Sequence, residues 1–231
     1  MAQNTGIAWC SHTFNPWLGC TRVSEGCVHC YAETMAARFN MVDWGPRAER
    51  KRTSESNWRA VKRWKPGRVF CASMADVFDD HPSIQPEWRA DLWQLISETP
   101  QHEWLLLTKR PESIDVPSLP NVRIGVTTEN QERADERIPV LLSKWSGPNF
   151  VSYEPAIGPV DFSRWRMDWI IAGGESGRGR RPPELQWFRD ARDCCERLGT
   201  AFFFKQWGGI TPKAGGKVLD GREWCEFPVA V

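Results

Sequence analysis

Six short apolar runs recur between residues 68 and 207, separated by helix-like stretches, and this alternation constrains the fold more than any other feature. The runs are rich in β-branched and aromatic residues and are largely continuous in their apolar character. Continuous apolar strands are typical of parallel sheets that are buried on both faces. The strand sequences are RVFCAS (68–73), EWLLLTK (103–109), VRIGVTT (122–128), NFVSYEP (149–155), DWIIAGG (168–174) and AFFFKQW (201–207).

Helical segments lie between these strands, and repeated strand-then-helix units predict a parallel α/β architecture. With a further strand near residues 7–15, the sequence favours a partial (β/α) barrel of about six to seven parallel strands. A doubly wound sheet remains the alternative. The G-x-G-x-x-G motif that opens a helix in many such sheets does not occur here. The predicted helices cover residues 31–40, 86–99, 130–144 and 182–199, the last with prolines in its first turn and Gly199 after its end.

The length of 231 residues is sufficient for one sizeable core. We therefore expect a single domain over residues 1–231, with a cysteine loop at 20–30 and a loop-and-hairpin tail at 208–231. Lys and Arg total 30 against 29 for Asp and Glu, so net charge indicates no class of partner. The sequence has neither a bilayer-spanning apolar run nor a recognisable secretory signal. We expect a cytoplasmic protein, in which clustered cysteines indicate metal binding or catalysis more often than disulfides.

Polar side chains follow each apolar run, at the point where the predicted strand ends. The carboxyl ends of parallel strands meet at one edge, where such folds bind their ligands, so we expect a pocket there. Lys109, Glu154 and Lys205 lie within or at the end of apolar runs, where an unpaired charge is costly to bury. They are the candidate catalytic residues, and mutual pairing in a purely structural role is the alternative.

Three of the eight cysteines lie in the segment GCTRVSEGCVHCYAE, with the spacing C-x6-C-x2-C. Cys20, Cys27 and Cys30 are one ligand short of a closed zinc site. Three unrelated thiols or a redox pair are further alternatives. A [4Fe–4S] cluster held by three cysteines would instead leave one iron open to a small molecule. A zinc site would need a fourth ligand from Cys10, His12 or His29.

The cysteine segment resembles the loop of radical S-adenosylmethionine enzymes, which follows the first strand of a full or partial barrel. In that superfamily the open iron binds the methionine moiety, and an electron from the cluster cleaves the sulfonium to release a 5′-deoxyadenosyl radical. The usual spacing there is C-x3-C-x2-C, so the first gap is longer here. The resemblance implies that Cys20, Cys27 and Cys30 are the metal ligands.

The resemblance extends to a Gly-Gly-Glu stretch that contacts the methionine amino group in that superfamily. Here this stretch follows the sixth apolar run, whereas the superfamily has it near the second strand. The position before the last cysteine is commonly aromatic and lies beside the adenine; here a histidine occupies it, and a tyrosine follows the cysteine. The implied cofactor-binding residues are His29, Tyr31, Gly173, Gly174, Glu175 and Ser176.

Over about residues 7–227 the chain also resembles the phage-associated three-cysteine-motif proteins. That resemblance implies a metal cluster and a phage gene product, and it implies no particular reaction. The motifs that carry it are FNPWLGCTRVSEGCVHCYAE, VSYEPAIGPV, AGGESG, FKQWGG and LDGREW.

Residues 47–68 form a basic segment, with nine basic residues against two acidic ones and with Trp58 and Trp64 among them. Basic residues neutralise phosphates, and exposed tryptophans stack on bases. A surface helix whose tryptophans face the core is the alternative. A second basic stretch, RGRR, covers residues 178–181 at the predicted pocket edge. If both stretches border that edge, a nucleotide or nucleic-acid substrate is expected.

The preferred hypothesis is a radical S-adenosylmethionine enzyme with a [4Fe–4S] cluster and S-adenosylmethionine as cofactors. Such an enzyme would act on a nucleotide or nucleic acid by hydrogen abstraction and would need an electron-donor protein. The alternative is a nucleic-acid-binding module that zinc or a cluster stabilises and that has no catalytic activity.

Overall fold

A computed structural model describes residues 2–211 and 214–229. They form a single mixed α/β domain around one eight-stranded sheet that curls into a half-barrel. Its strands are β1 (Ala2–Gln3), β2 (His12–Phe14), β5 (Gly67–Cys71), β6 (His102–Thr108), β7 (Val122–Thr127), β8 (Asn149–Tyr153), β9 (Trp169–Gly173) and β10 (Ala201–Gln206). Two short antiparallel pairs complete the strands: β3 (Trp17–Leu18) with β4 (Lys51–Arg52), and β11 (Val218–Leu219) with β12 (Arg222–Glu223).

The strand order in the half-barrel follows the chain order of its members. From β2 to β10 the neighbouring strands are parallel, and only β1 pairs antiparallel to its neighbour among the described strands of this sheet. An order without reversal has no topological switch point, which a doubly wound sheet requires. The partial-barrel prediction is therefore confirmed, and so are all six apolar runs as strands.

Five helices accompany the sheet: α1 (Tyr31–Arg38), α2 (Glu55–Val61), α3 (Pro86–Ser97), α4 (Gln131–Lys144) and α5 (Leu185–Leu198). The four predicted helices are confirmed, with differences at their ends. The prolines predicted for the first turn of α5 lie outside it, because the helix begins at Leu185 after Glu184 as its N-cap. Gly199 ends α5 with φ +69°, a conformation that glycine adopts without strain.

In β5, β6, β8, β9 and β10, alternate residues face two different apolar layers. In β5, Val69 and Cys71 belong to the large core beneath the helices, whereas Phe70 belongs to a second layer on the concave face. The ring of Trp9, from the segment before β2, packs against Phe70 with centroids 4.6 Å apart. This second layer fills the amino-terminal half of the concave face and leaves its carboxyl end open.

The tryptophans of the basic segment at 47–68 are not exposed as nucleic-acid binding would require. Its helix α2 turns Trp58 into the core against Phe14, and Trp64 lies buried beside His12. Buried rings cannot stack on bases, so the prediction that these tryptophans contact bases was wrong. The alternative, tryptophans that face the core, is correct, although only Trp58 lies on the helix.

The predicted hairpin in the tail is confirmed as the pair β11–β12. Its two turn residues, Asp220 and Gly221, both have positive φ, 52° and 83°, as a tight two-residue hairpin requires. After the hairpin the chain follows β10, with a bridge between Phe203 and Cys225, towards the amino-terminal edge of the sheet. Among the described residues, no helix has both the length and the apolar character to span a membrane.

Candidate functional site

A cavity of about 780 Å³ opens at the carboxyl ends of the parallel strands. Apart from Gly173, every residue predicted for the site lines this cavity. Gly173 ends β9 just outside it, and a Cβ atom at that position would lie 3.2 Å from the side chain of Glu154. The lining residues from the predicted set are Cys20, Cys27, His29, Cys30, Tyr31, Lys109, Glu154, Gly174, Glu175, Ser176 and Lys205.

The cysteine loop presents three free, partly exposed thiols to this cavity. A turn of 3-10 helix, Glu25–Cys27, shapes its middle, and Cys30 is the N-cap of α1. A Cβ atom at Gly26 would collide with the buried side chain of Glu129. Glycine at this position lets the loop lie directly on the end of β7.

Glu129, directly after β7, holds the loop from below. Its buried carboxylate accepts hydrogen bonds from the Ser24 hydroxyl (2.6 Å) and from the Arg137 guanidinium (2.9 Å). The Lys109 ammonium lies 3.8 Å away on the cavity side. Lys109 is thus the outermost cation of a buried carboxylate, and its charge reaches the cavity.

Cys20 lies beside a second buried charge network. Arg110 donates to the Cys20 sulfur (3.7 Å), to the backbone oxygen of Thr21 (3.0 Å) and to the carboxylate of Asp76 (3.1 Å). Burial raises the pKa of the Cys20 thiol to about 12, and Asp76 adds to this, while Arg110 opposes it. Arg110 is therefore the group that favours a thiolate at this position.

The Gly-Gly-Glu stretch anchors a third side of the site. Glu175 accepts a hydrogen bond from the backbone N–H of Arg181 (2.8 Å) and a bidentate ion pair from its guanidinium, and His29 Nδ1 lies 3.0 Å from the same carboxylate. Burial by itself would raise the pKa of Glu175, but the hydrogen bonds from Arg181 and His29 lower it below its usual range. Arg181 also donates to the backbone oxygen of Glu25 (3.0 Å), which joins this strand end to the cysteine loop.

Both Glu154 oxygens accept hydrogen bonds from the Lys205 ammonium, at 2.7 and 2.9 Å. The Gln206 amide donates to the same carboxylate (3.2 Å) and to the Ser176 hydroxyl (2.9 Å). The two predicted charges therefore form the ion pair that was the structural alternative, and they do so facing the cavity. About a fifth of each side chain stays exposed, 21% for Lys205 and 18% for Glu154.

The remaining predicted residue with a distinct contact is Tyr31, the first residue of α1. Its hydroxyl donates to the backbone oxygen of Ser73 (2.8 Å), which places the ring across the cavity mouth beside Cys30. Tyr31 as a whole residue is still 51% exposed.

Several residues of the site were not among the predicted site residues. Arg110 and Glu129 are polar residues at predicted strand ends, as Lys109 is, but only Lys109 was selected. Arg110 lines the cavity, and Glu129 is buried next to it. The apolar floor, formed by Ile7, Trp9 and Leu107 with Phe70, carries no motif. Nothing in the sequence indicates that residues 6–9 fold into the concave face.

The donor chemistry of the site fits an iron–sulfur group. Three free thiols face one cavity, and the adjacent His29 is hydrogen-bonded to Glu175. Across residues 2–211 and 214–229, no three histidine, cysteine or carboxylate side chains are positioned to hold one metal ion. That criterion concerns a single ion. A cluster binds each thiolate through a different iron, so its ligands need not converge on one point.

Comparison with known proteins gives a family match over nearly the whole chain. Residues 4–228 match the family model described as "Protein of unknown function (DUF5131)". No curated protein and no solved structure matches the chain.

Proposed function

The chain belongs to the DUF5131 family, and we propose that it is an iron–sulfur enzyme of the radical S-adenosylmethionine type. In this proposal Cys20, Cys27 and Cys30 hold a [4Fe–4S] cluster at the carboxyl end of the half-barrel. The enzyme abstracts hydrogen from a substrate in the cavity.

One observation carries the proposal: three free thiols share a cavity with paired charges at the carboxyl edge of a parallel half-barrel. Chemistry on parallel α/β folds is located at this edge. Charged groups that follow three different strands, two of them buried, also hold the cysteine loop. Arg110, Glu129 and Arg181 contact Thr21, Ser24 and Glu25 respectively. A loop held at three points is preorganised for ligands that must keep a fixed geometry.

When bound, a three-cysteine cluster and S-adenosylmethionine supply a carbon radical that can take a hydrogen atom from an unactivated carbon. The role of the chain is to hold the reactants and exclude water. The apolar floor of Trp9, Phe70 and Leu107 provides a dry surface beneath the thiols. Tyr31 lies across the mouth, where its ring can pack on an adenine.

The polar groups of the cavity divide into two sets by their freedom to bind a ligand. Glu175 is saturated by Arg181 and His29, so it can receive a cofactor ammonium only if one of these donors moves away. Lys109 is weakly paired, at 3.8 Å from Glu129, and is the cation best placed to receive a cofactor carboxylate. Glu154 and Lys205, with Gly173 and Gly174 beside them, then face the substrate.

The proposal includes a nucleotide or nucleic-acid substrate and an external protein that delivers one electron for each cleavage. The electron requirement follows from the chemistry, since a sulfonium is cleaved to a radical only by reduction. The resemblance to three-cysteine-motif proteins is the basis for proposing that the gene is phage-borne.

Anaerobic purification with metal analysis tests the proposal. The protein should be brown, with broad absorbance near roughly 400 nm that dithionite bleaches, and should contain about four iron atoms per chain. The reduced protein incubated with S-adenosylmethionine should then release 5′-deoxyadenosine. A colourless protein with one zinc per chain would instead support the zinc-stabilised binding module. A brown protein that never cleaves the cofactor would leave a cluster of structural or redox role and would contradict the radical mechanism.

A further inference from the structure

Helix α1 exposes an apolar stripe beside the cavity mouth. Tyr31, Met35 and Phe39 lie four residues apart, on one face of the helix and its C-cap, and are 51%, 42% and 61% exposed. Successive members are about 6 Å apart along the helix axis. Soluble proteins seldom leave such a stripe uncovered without a binding role. Tyr31 lines the cavity itself, so the stripe runs directly into it.

Arginines lie near both ends of this stripe. Arg38 lies over the Phe39 ring, 5.4 Å from its centroid. Near the Tyr31 end, the loop at 177–181 adjoins the cysteine loop, because a Cβ atom at Gly179 would lie 3.1 Å from the His29 ring. Arg181 of this loop is paired with Glu175, whereas Arg178 and Arg180 are exposed and have no described carboxylate within salt-bridge distance.

We propose that this surface, formed by Tyr31, Met35, Phe39, Arg38, Arg178 and Arg180, binds single-stranded nucleic acid and leads it into the cavity. Aromatic rings on an open face stack on bases of any sequence, and guanidinium groups follow the phosphates. Duplex is the poorer fit, because its bases are already stacked and are not available to Tyr31 and Phe39. That the bound strand is the substrate rests on the proposed function, whereas the binding itself does not.

The charge of this surface favours a polyanion. The nearest acidic group on α1, Glu33, is occupied by Arg22 at 2.8 Å. The surface therefore presents three guanidinium groups beside two aromatic rings, although the whole chain is almost neutral at a net charge of +1. The binding residues also differ from those first predicted, since Trp58 and Trp64 of the basic segment are buried.

Fluorescence anisotropy with a labelled twelve-nucleotide oligothymidylate, dT12, measures the binding directly. Three phosphate contacts predict that raising the salt from 50 to 200 mM weakens binding by roughly ten- to twenty-fold. Removing two of them in the R178Q/R180Q variant should weaken binding about ten-fold at low salt and lower the salt slope by about 1.4. Phe39→Ser should weaken binding about five-fold or more through lost stacking.

The double variant R59Q/R63Q is the matched control, because Arg59 on α2 and Arg63 just after its end are both exposed in the basic segment. It should bind dT12 within about two-fold of the wild type. A loss as large as that of R178Q/R180Q would transfer binding to the basic segment and overturn the proposal. Absence of dT12 binding at 50 mM salt would also overturn it.

Competition with poly-L-glutamate separates a nucleic acid from an acidic protein as the occupant. Poly-L-glutamate should displace dT12 far less well than unlabelled dT12, because it offers no bases to Phe39. Equal competition would identify a general acceptor of acidic chains and overturn the proposal. The iron content of the same samples separates this inference from the radical mechanism of the proposed function. dT12 binding by iron-free wild-type protein would uphold this inference and contradict the radical mechanism, and iron with cofactor cleavage but no dT12 binding would do the reverse.

Discussion

The two ends of the half-barrel both carry networks of ion pairs, and the network at the carboxyl end borders the cavity of the candidate site. At the amino-terminal end, Arg123 bonds to Glu103 (2.8 Å) and to Asp168 (3.0 Å), and Glu103 also pairs with Arg68. The tail covers this end: Arg123 donates to the backbone oxygen of Val229. Each group of this network has its partner within the fold.

At the carboxyl end the ion pairs face a 780 Å³ cavity, and a loop of thiols lies over them. Glu154 and Lys205 are as well paired as Arg123 and Glu103, but a molecule in the cavity can reach them. Paired charges at a strand end are therefore no sign of a site by themselves. The thiols and the open volume distinguish the carboxyl end, and the two ends should respond differently to substitution.

The largest difference is expected for the cysteines. Changing Cys20, Cys27 or Cys30 to alanine removes one of three cluster ligands, so each variant should lose nearly all of its iron. Iron and sulfide per folded chain measure the effect. Cys225→Ala is the control, since this cysteine is exposed in the tail beside β10 and should leave the iron content unchanged. Full iron in Cys30→Ala would contradict the ligand assignment.

The next largest effect is a loss of stability when the ion-pair network at the amino-terminal end is broken. Arg123 is 2% exposed, so Arg123→Met leaves Glu103 and Asp168 without their shared partner. We expect a loss of about 3 kcal/mol in the free energy of unfolding, at the lower limit for buried pairs because Arg68 still pairs with Glu103. Urea unfolding measures it, and the iron content per folded chain should stay unchanged.

Arg164→Met is the control for that variant, because Arg164 is more than half exposed and pairs with Asp135 at the surface. It should cost less than about 1 kcal/mol. Equal losses in the two variants would show that the network at the amino-terminal end is no more than a surface feature.

At the carboxyl end, breaking the ion pair of Lys205 and Glu154 should lower the catalytic activity more than the stability. Lys205→Met should cost about 1–2 kcal/mol, less than Arg123→Met, because water in the cavity can solvate Glu154. Formation of 5′-deoxyadenosine should fall about 10²-fold through lost positioning, with iron retained. Adding Glu154→Gln should recover part of the stability but none of the activity. Recovered activity in the double variant would show that Lys205 and Glu154 have a structural role only, like Arg123.

Much of this arrangement could be predicted from the sequence, because continuous apolar runs fix parallel strands and parallel strands fix a common edge. Eleven of the twelve predicted site residues consequently line one cavity. The partners of the charges could not be predicted. Lys205 and Glu154 are 51 positions apart, and Arg68 and Glu103 begin apolar runs just as Lys109 ends one. The orientation of Trp58 was also undetermined, because a basic helix with tryptophans fits both a core-facing and a solvent-facing pattern.

The smallest effect concerns the hairpin β11–β12, from which the tail runs to the covered amino-terminal end. The Arg189 and Arg192 guanidiniums hold the pKa of Asp220 at about 2, below its usual 3.8, and so fasten the hairpin to α5. This contribution is present above pH about 4 and is lost as the pH falls through 2, since the folded-state pKa is the lower one. Asp220→Asn removes it at neutral pH. Because the pair is at the surface, Tm should fall by no more than about 2 °C, and hydrogen exchange in residues 224–229 should rise while that of the cysteine loop stays constant. Equal changes in both segments would mean that the tail couples the two ends, which would break the distinction between a covered end and an open one.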